Sequence, residues 1–289
     1  MGTIIGNTMS IIDRIEKLPT LPAVLMKVIE TAENENSTAA DLNKIISRDQ
    51  ALTGQILKLA NSAYYGFPRS ITKITEAVVI MGFKTVKGLC LSATVCSMFK
   101  SDEKVGNFSP RELWRHSVAV GICAEVIAKR IRSKMVEELF TLGILHDMGI
   151  LMVMEFLKED FVTIQTKTEL EQRRLSEVEK EIIGMDHGLI GKSLSQKWKI
   201  PKLIGDVIGF HHTPQYAFGD AKEMAAIIYL ANLICELKKI GHDGEYIIPP
   251  LAREPFLTLG LEKNDIKPVA DQMDQEMAKA QEFLKLVDN

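Results

Sequence analysis

Along almost the whole chain, apolar side chains recur at helical spacing, and nowhere do they alternate with polar ones for long enough to argue a strand. In "LPAVLMKVIETAE" Val24, Leu25, Val28 and Ile29 share one face, and Pro22 suits a first turn. "STAADLNKIISRDQALTGQILKLANS" carries two helices. Ser37 or Thr38 can cap the first, before Leu42, Ile45 and Ile46, and Leu52, Ile56, Leu57 and Leu59 line the second. The small and polar run Leu59-Ala60-Asn61-Ser62 suits a tight helix-to-loop junction. Gly66 and Pro68 then interrupt the pattern before "ITEAVVIMGFKTVKGLCLSATVCSMF" resumes it. The expectation is an all-α multi-helix bundle. A polar interval, "KSDEKVGNFSP", places a boundary near residues 100–110, where Ser109-Pro110 opens a new helix as cap and first-turn proline.

The second part contains an electrostatic problem. In "ELFTLGILHDMGILMVMEF" the pair His146-Asp147 sits inside an almost continuous apolar run. A buried charge without a partner costs several kcal/mol, so the pair must be hydrogen-bonded, ion-paired or bound to a metal. Four more histidines fall in the same part: His116, His187 and the adjacent His211 and His212, each close to an apolar helix. His242 lies apart, in a Gly-rich polar loop. Neutral imidazole is a common ligand for Zn, Fe and Mn, and a carboxylate biases a site toward the harder ions or a mixed dinuclear centre. Glu112 precedes His116 by one turn and projects from the same face. Adjacent residues diverge by about 100° on a helix, so His211 and His212 reach one centre only if the helix ends there, as Thr213-Pro214 favours.

Composition narrows the alternatives. A formal net charge of -3 over 289 residues gives no electrostatic footprint for nucleic acid or for an anionic membrane. The four cysteines, Cys90, Cys96, Cys123 and Cys235, are scattered singly in apolar segments and read as reduced core residues. There is no uninterrupted apolar run of membrane-spanning length and no signal-peptide order at the N-terminus, so a cytoplasmic protein is expected. Gly2 invites a myristoylation reading, but Gly6 stands where that signal needs Ser or Thr.

The order His116, His146-Asp147, His187, His211-His212 resembles the HD superfamily of metal-dependent phosphohydrolases. The segments "LPTLPAVLMKVIE", "ISRDQALTGQILKLANSAYYG", "ITEAVVIMGFKTVKGL", "LWRHS", "LFTLGILHDMG", "DHGLIGKSLSQKWKIP" and "HHTP" are similar to the HDOD family, the HD-related output domain of bacteria. The resemblance runs over residues 11–237. It implies an N-terminal helical subdomain at 11–105 packed on an HD-like helical subdomain at 106–237, followed by a C-terminal loop and helix at 238–289 that pack back on the body. It also implies a metal site drawn from His116, His146, Asp147, His187, His211 and His212. Glu112 stands where some multinuclear relatives add a carboxylate, and Asn232 where the last aspartate ligand is found.

Departures from the pattern bear on activity. An amide at Asn232 can bind a hard cation but brings no charge. In the cyclic di-GMP phosphodiesterases of the HD-GYP group a Gly-Lys follows the HD pair. Here Gly149 is followed by Ile150, and "HHTPQYAFGD" lacks the GYP signature. A missing lysine removes a charge that would hold phosphate. The resemblance therefore implies a signalling or regulatory output protein with a divalent transition metal, Fe or Mn before Zn, mono- or dinuclear. It would act on a signalling protein partner or a phosphate-containing small molecule, with no nucleic acid or membrane partner. A metal-dependent phosphohydrolase acting on a nucleotide or phosphate ester is the alternative, with Arg115 or Lys192 as weak candidates for a phosphate pocket. A redox-active iron sensor is a third.

Overall fold

A computed structural model describes residues 20–97, 104, 108–248 and 251–287; the expected subdomain limits at residues 11 and 105 lie outside the described residues. Among the described residues the fold is all-α, with no β-strand.

Five helices form the N-terminal part: α1 (Ala23–Glu33), α2 (Ala39–Ile46), α3 (Gln50–Ala60), α4 (Ile74–Met81) and α5 (Phe83–Cys96). Local chemistry sets their ends. The backbone of α1 begins after Pro22, which serves as its N-cap. Thr38 and Asp41 exchange hydrogen bonds in a capping box at the start of α2, and the Asp49 carboxylate accepts from Leu52 N to begin α3. Asn61 closes the loop after α3. Its side-chain amide donates to the carbonyls of Leu57 (2.7 Å) and Ile71 (2.8 Å), and its oxygen accepts from Ile71 N (2.7 Å). Helix α5 is buried along most of its length and packs on α1, α3 and α4 from one side.

From its other side α5 meets the second part through α7. That part begins with α6 (Pro110–Ile131), the long central helix, followed by α7 (Val136–Leu145) and α8 (Met148–Phe156). Pro110 does occupy the first turn of α6, although the Ser109 side chain makes no capping bond. Helices α6 and α7 touch backbone to backbone. A Cβ on Gly143 would fall 2.3 Å from Gly121 Cα, and one on Gly121 only 2.7 Å from Phe140 O, so neither position has room for a side chain. Then come α9 (Lys158–Glu171), α10 (Leu175–Ile183), α11 (His187–Lys197), α12 (Lys202–Phe210) and α13 (Asp220–Leu237). Helix α11 packs on α8 and α12, and α13 on α6 and α12, which closes the bundle around α6 to α8.

The C-terminal elements α14 (Arg253–Leu259), α15 (Ile266–Lys279) and α16 (Gln281–Leu284) pack against the rest of the fold. Helix α15 lies on α6, and α16 touches both α3 and α6. Phe283 is the joint. Its carbonyl accepts from Trp114 Nε1 at 2.9 Å, and its ring meets Tyr64, Tyr65 and Phe140. The buried apolar residues of both parts form one continuous core, and all four cysteines are buried within it without a disulfide.

The stretch Val136–Phe156 is long and apolar enough to cross a membrane by length and composition. Its most apolar window is 89% buried inside the fold, as the two core helices α7 and α8.

Candidate metal centre

The break between α7 and α8 creates the site. His146 keeps helical angles at the end of α7, but Asp147 (φ -103, ψ 13) leaves them, so two adjacent side chains reach one interior point from a helix corner. Gly149 permits the next close approach: its missing side chain lets α8 lie against the His187 backbone at the start of α11. Asp186 caps α11 by accepting from Leu189 N at 2.9 Å, which fixes the turn that presents His187. Helix α12 ends at Phe210, so both His211 and His212 turn inward, with ring centroids 3.9 Å apart.

Asp147 stands at the centre of two groups of ligand-capable atoms, one with His187, His211 and His212, the other with His116 and His146. Its Oδ1 lies 3.4 Å from His187 Nε2 and 3.4 Å from His211 Nε2. Its Oδ2 lies 3.1 Å from His146 Nε2 and 3.9 Å from His116 Nε2. Four of the rings are oriented alike. Nδ1 of His146 faces Gly143 O (2.7 Å), that of His211 faces Ile208 O (2.6 Å), that of His187 faces Glu179 Oε2 (2.7 Å), and that of His116 faces Ile240 O (3.3 Å). In His146, His187 and His211 an acceptor at Nδ1 holds the hydrogen there and turns the Nε2 lone pair inward, which is how metal-binding imidazoles are prepared; in His116 the shorter contact is from Nε2 to the accepting Asn232 Oδ1 at 2.7 Å, so its hydrogen lies inward and an ion would have to displace it.

Three of the inward atoms are orphans. His146 Nε2, His211 Nε2 and Asp147 Oδ1 are buried without a hydrogen-bond partner; the short His146–Asp147 approach is off the hydrogen-bond axis. Buried polar atoms of this kind are costly unless something satisfies them. A divalent cation fits the donor set of imidazole nitrogens around a carboxylate.

Charge tells the same story. Burial works to raise the Asp147 carboxyl, yet His146, His187 and His211 hold it well below the usual carboxylate range. Burial also works against a charge on His187, but Glu179 and Asp147 keep it well above the ordinary histidine range. His212 is held well below that range by burial, with His211, His187 and Arg174 adding to the effect. The Nε2 atoms of His187 and His212 face each other at 2.8 Å, which leaves room for one hydrogen. Arg174 Nη2, which can only donate, lies 3.2 Å from His212 Nδ1, so the hydrogen of His212 is on Nε2. Two carboxylates thus ask for positive charge on His187 while His212 asks its inward nitrogen to accept. A metal ion on that nitrogen would supply the charge in place of the His212 hydrogen bond, since the one lone pair cannot serve both.

The remaining candidates are placed differently. Asn232 Oδ1 lies 2.7 Å from His116 Nε2, its amide oriented by donation to Glu236 Oε1 at 2.8 Å. Glu112 is half-buried; its carboxylate belongs to neither group of ligand atoms, and its contribution is a main-chain carbonyl that accepts from His242 N at 3.2 Å. Arg115 is exposed, and Lys192 is paired with Asp206 at 2.8 Å and lies over the Phe210 ring.

Several residues escaped the sequence reading. Glu179 is fully buried and binds both the ring and the backbone N–H of His187. The signal was present: with Leu175, Val178, Ile182 and Ile183 it falls on the apolar face of α10, where a carboxylate needs a reason. The loop after α13 also folds onto the site. Asp243 Oδ2 comes within 3.7 Å of His116 Nε2, and Glu245 accepts from Leu175 N at 3.0 Å. Beside them a cavity of about 600 Å³ is bounded by His116, Glu236, Lys239, Asp243, Glu245 and Tyr246 among others. Burial, with Asp243 next, raises Glu236 to about 9 and Glu245 to about 8.

The family model for the HDOD domain matches residues 18–214. The chain belongs to the HDOD family. An HDOD domain protein of unknown function from Geobacter sulfurreducens superposes with a TM-score of 0.79 at 22% identity, over 99% of this chain and 98% of that one. A protein from Shewanella amazonensis SB2B, named as a candidate phosphohydrolase, gives 0.75 at 25% identity, over 97% and 98%. One from Marinobacter aquaeolei VT8, named as a candidate signal transduction protein, gives 0.77 at 17%, over 99% and 66%. In sequence, an uncharacterized protein of Treponema pallidum (strain Nichols) is 28% identical over 228 residues, 78% of this chain and 43% of that protein. This HDOD chain therefore spans under half the length of that relative. The family match ends at residue 214, so Asn232 and the loop carrying Asp243 lie beyond it.

Proposed function

We propose that this HDOD protein is a signalling or regulatory output module whose buried centre holds one or two divalent transition-metal ions, Fe or Mn before Zn. One observation carries the reading: three imidazoles, His146, His187 and His211, are held from behind at Nδ1 so that their Nε2 atoms converge on Asp147 beside that of His116, with three buried atoms there left unsatisfied. His116, His146, Asp147, His187 and His211 would hold the ions, with Asn232 adding a neutral oxygen. His212 is held by Arg174 and donates to His187 Nε2, a hydrogen bond that an ion on that nitrogen would replace, since it has one lone pair. An ion at this place supplies Lewis-acid chemistry. Metal analysis of protein purified without a His-tag or chelator should give at least about half an equivalent per chain, since the site releases its few protons to bind. A folded, metal-free protein contradicts the reading.

Regulation is favoured over hydrolysis by the surroundings. Among its described lining residues the cavity beside His116 sets one lysine, Lys239, beside the Asp243 carboxylate and the protonated Glu236 and Glu245, which gives a phosphate little positive charge to bind. Ile150, at the position after Gly149, is buried in the core and offers no charge. Cyclic di-GMP hydrolysis is accordingly not the proposed activity; the proposed partner is a signalling protein contacting the helical surface.

A second reading, a metal-dependent phosphohydrolase acting on a nucleotide or phosphate ester, is favoured by the same cavity, which reaches a candidate ligand, His116, from outside. Nucleotides, cyclic dinucleotides and p-nitrophenyl phosphate esters tested with Fe, Mn and Zn separate the two. Turnover abolished by His146→Ala establishes the enzyme; none with any metal leaves the regulatory module.

A further inference from the structure

The His116 side of the centre is short of charge. His116, His146 and Asn232 contribute neutral donors, and the one carboxylate, Asp147, is shared with the His187 side. A divalent ion there would remain a net buried charge, which a low-dielectric interior disfavours. The loop after α13 brings a second carboxylate to this side. Gly241 (φ +69) lies directly on the α6 backbone: a Cβ there would fall 2.4 Å from Glu112 O and 2.5 Å from His116 N. His242 N donates to Glu112 O at 3.2 Å. Gly244 (φ +96) is packed on Gln165, where a Cβ would come within 2.6 Å of Nε2. Both glycines occupy left-handed backbone that other residues rarely adopt, so Asp243 between them is held in place from two sides.

The Asp243 side chain is 8% exposed. Its Oδ1 accepts from Glu245 N at 3.0 Å, and its Oδ2 lies 3.7 Å from His116 Nε2. That distance is too long for a hydrogen bond. It matches two donors on one ion, which with bonds of about 2.1 Å stand roughly 3.0 Å apart at a right angle and about 3.4 Å apart in a tetrahedron, more at wider angles. The other atoms of this side are spaced alike, at 3.1 Å and 3.9 Å from Asp147 Oδ2. His146 Nε2, fully buried and without a hydrogen-bond partner, asks for a ligand on the same side of Asp147; Asp243 joins neither group of mutually close ligand atoms, so it would reach an ion from the His116 edge.

We infer that Asp243 is a metal ligand, the carboxylate that completes the His116 side of the centre in place of the charge Asn232 lacks. The inference rests on the metal reading above. It names a residue outside the matched HDOD region, on a loop rather than on the bundle.

The test uses the full chain, untagged, with Mn(II) as the probe. Equilibrium binding is compared for wild type, Asp243→Asn, and Asp243→Asn combined with Asn232→Asp. The isosteric Asn keeps the oxygen that receives Glu245 N. Asp243→Asn should weaken one Mn(II) by about tenfold or more, at least what the loss of an outer partner costs a metal site. Restoring the charge at position 232 should recover most of that loss, which a merely structural role for the loop would not allow. Unchanged binding by Asp243→Asn, or a loss that Asn232→Asp does not repair, overturns the inference while the metal reading stands. A wild type that binds no Mn(II) overturns both. Independently of the variants, a Mn(II)-loaded crystal of the wild type should show Asp243 Oδ2 about 2.2 Å from an ion. An ion on His116 with Asp243 turned away overturns the inference.

Discussion

Gly149 is where the chain trades a side chain for a site, and replacing it with alanine is the sharpest perturbation the fold offers. An added Cβ would stand 2.0 Å from the His187 carbonyl oxygen, 2.8 Å from its carbon and 3.0 Å from its Cα, where ordinary contact begins at 3.4 Å. The obstacle is backbone, so no rotamer relieves it. Helices α8 and α11 must part by about 1.4 Å, the difference between 2.0 Å and 3.4 Å. Overpacking of this kind costs about 1–3 kcal/mol. Better helix propensity returns under about 1 kcal/mol, and less than that so near a helix end. The net expectation is a loss of about 2 kcal/mol. The same movement pulls His187 from Asp147, now 3.4 Å apart, and with it one side of the metal centre. Urea unfolding and metal stoichiometry read the two effects together. Gly54→Ala is the control: that glycine lies inside α3 with nothing within 4 Å of an added Cβ, and its replacement should stabilise by up to about 1 kcal/mol. Gly149→Ala with wild-type stability and full metal content would refute the reasoning.

Glu179→Gln should lower metal affinity by about 10–100-fold, because it weakens the acceptor that orients His187, and isothermal titration with Mn(II) checks it. In metal-free protein the Glu236 carboxyl keeps its proton up to about pH 9, whereas the unfolded chain loses it near 4.5. Its contribution is therefore fully present below pH 4.5 and declines as pH rises toward 9, by at most about 1.4 kcal/mol per pH unit. Glu236→Gln, which cannot ionise, should gain on the wild type by about 1–3 kcal/mol between pH 6 and 8 in chelator-treated urea melts. Chelation itself should lower stability by about 2.7 kcal/mol when free metal had stood at a hundred times Kd, visible as a fall in Tm. Asn61→Ala removes three hydrogen bonds that close the loop after α3 and should cost about 1–3 kcal/mol by thermal unfolding.

Helical periodicity was enough to read the fold class, because apolar spacing reports which face is buried whatever it packs against. His146-Asp147 was legible for the opposite reason, as polar groups where the pattern permits none. Glu179 was legible in principle by the same rule, since it interrupts the apolar face of α10, but its charged neighbours Glu177, Lys180 and Glu181 disguised it. Asp243 was not legible. It belongs to no periodic segment, and its position depends on a loop returning to α6, a contact between residues far apart in the chain. His242, placed apart by sequence, is carried back by the same loop to the carbonyl of Glu112. The neighbour of His116 proved equally hard: spacing put Glu112 on the same helix face, but a shared face does not decide which way a side chain turns.

Anomalous diffraction across the Fe and Mn edges, from crystals of the untagged chain grown without chelator, bears most directly on the centre. The account predicts a peak beside Asp147, about 2.0–2.2 Å from the Nε2 atoms of His146 and His116 or of His187 and His211. A folded chain with no anomalous peak among these residues contradicts it.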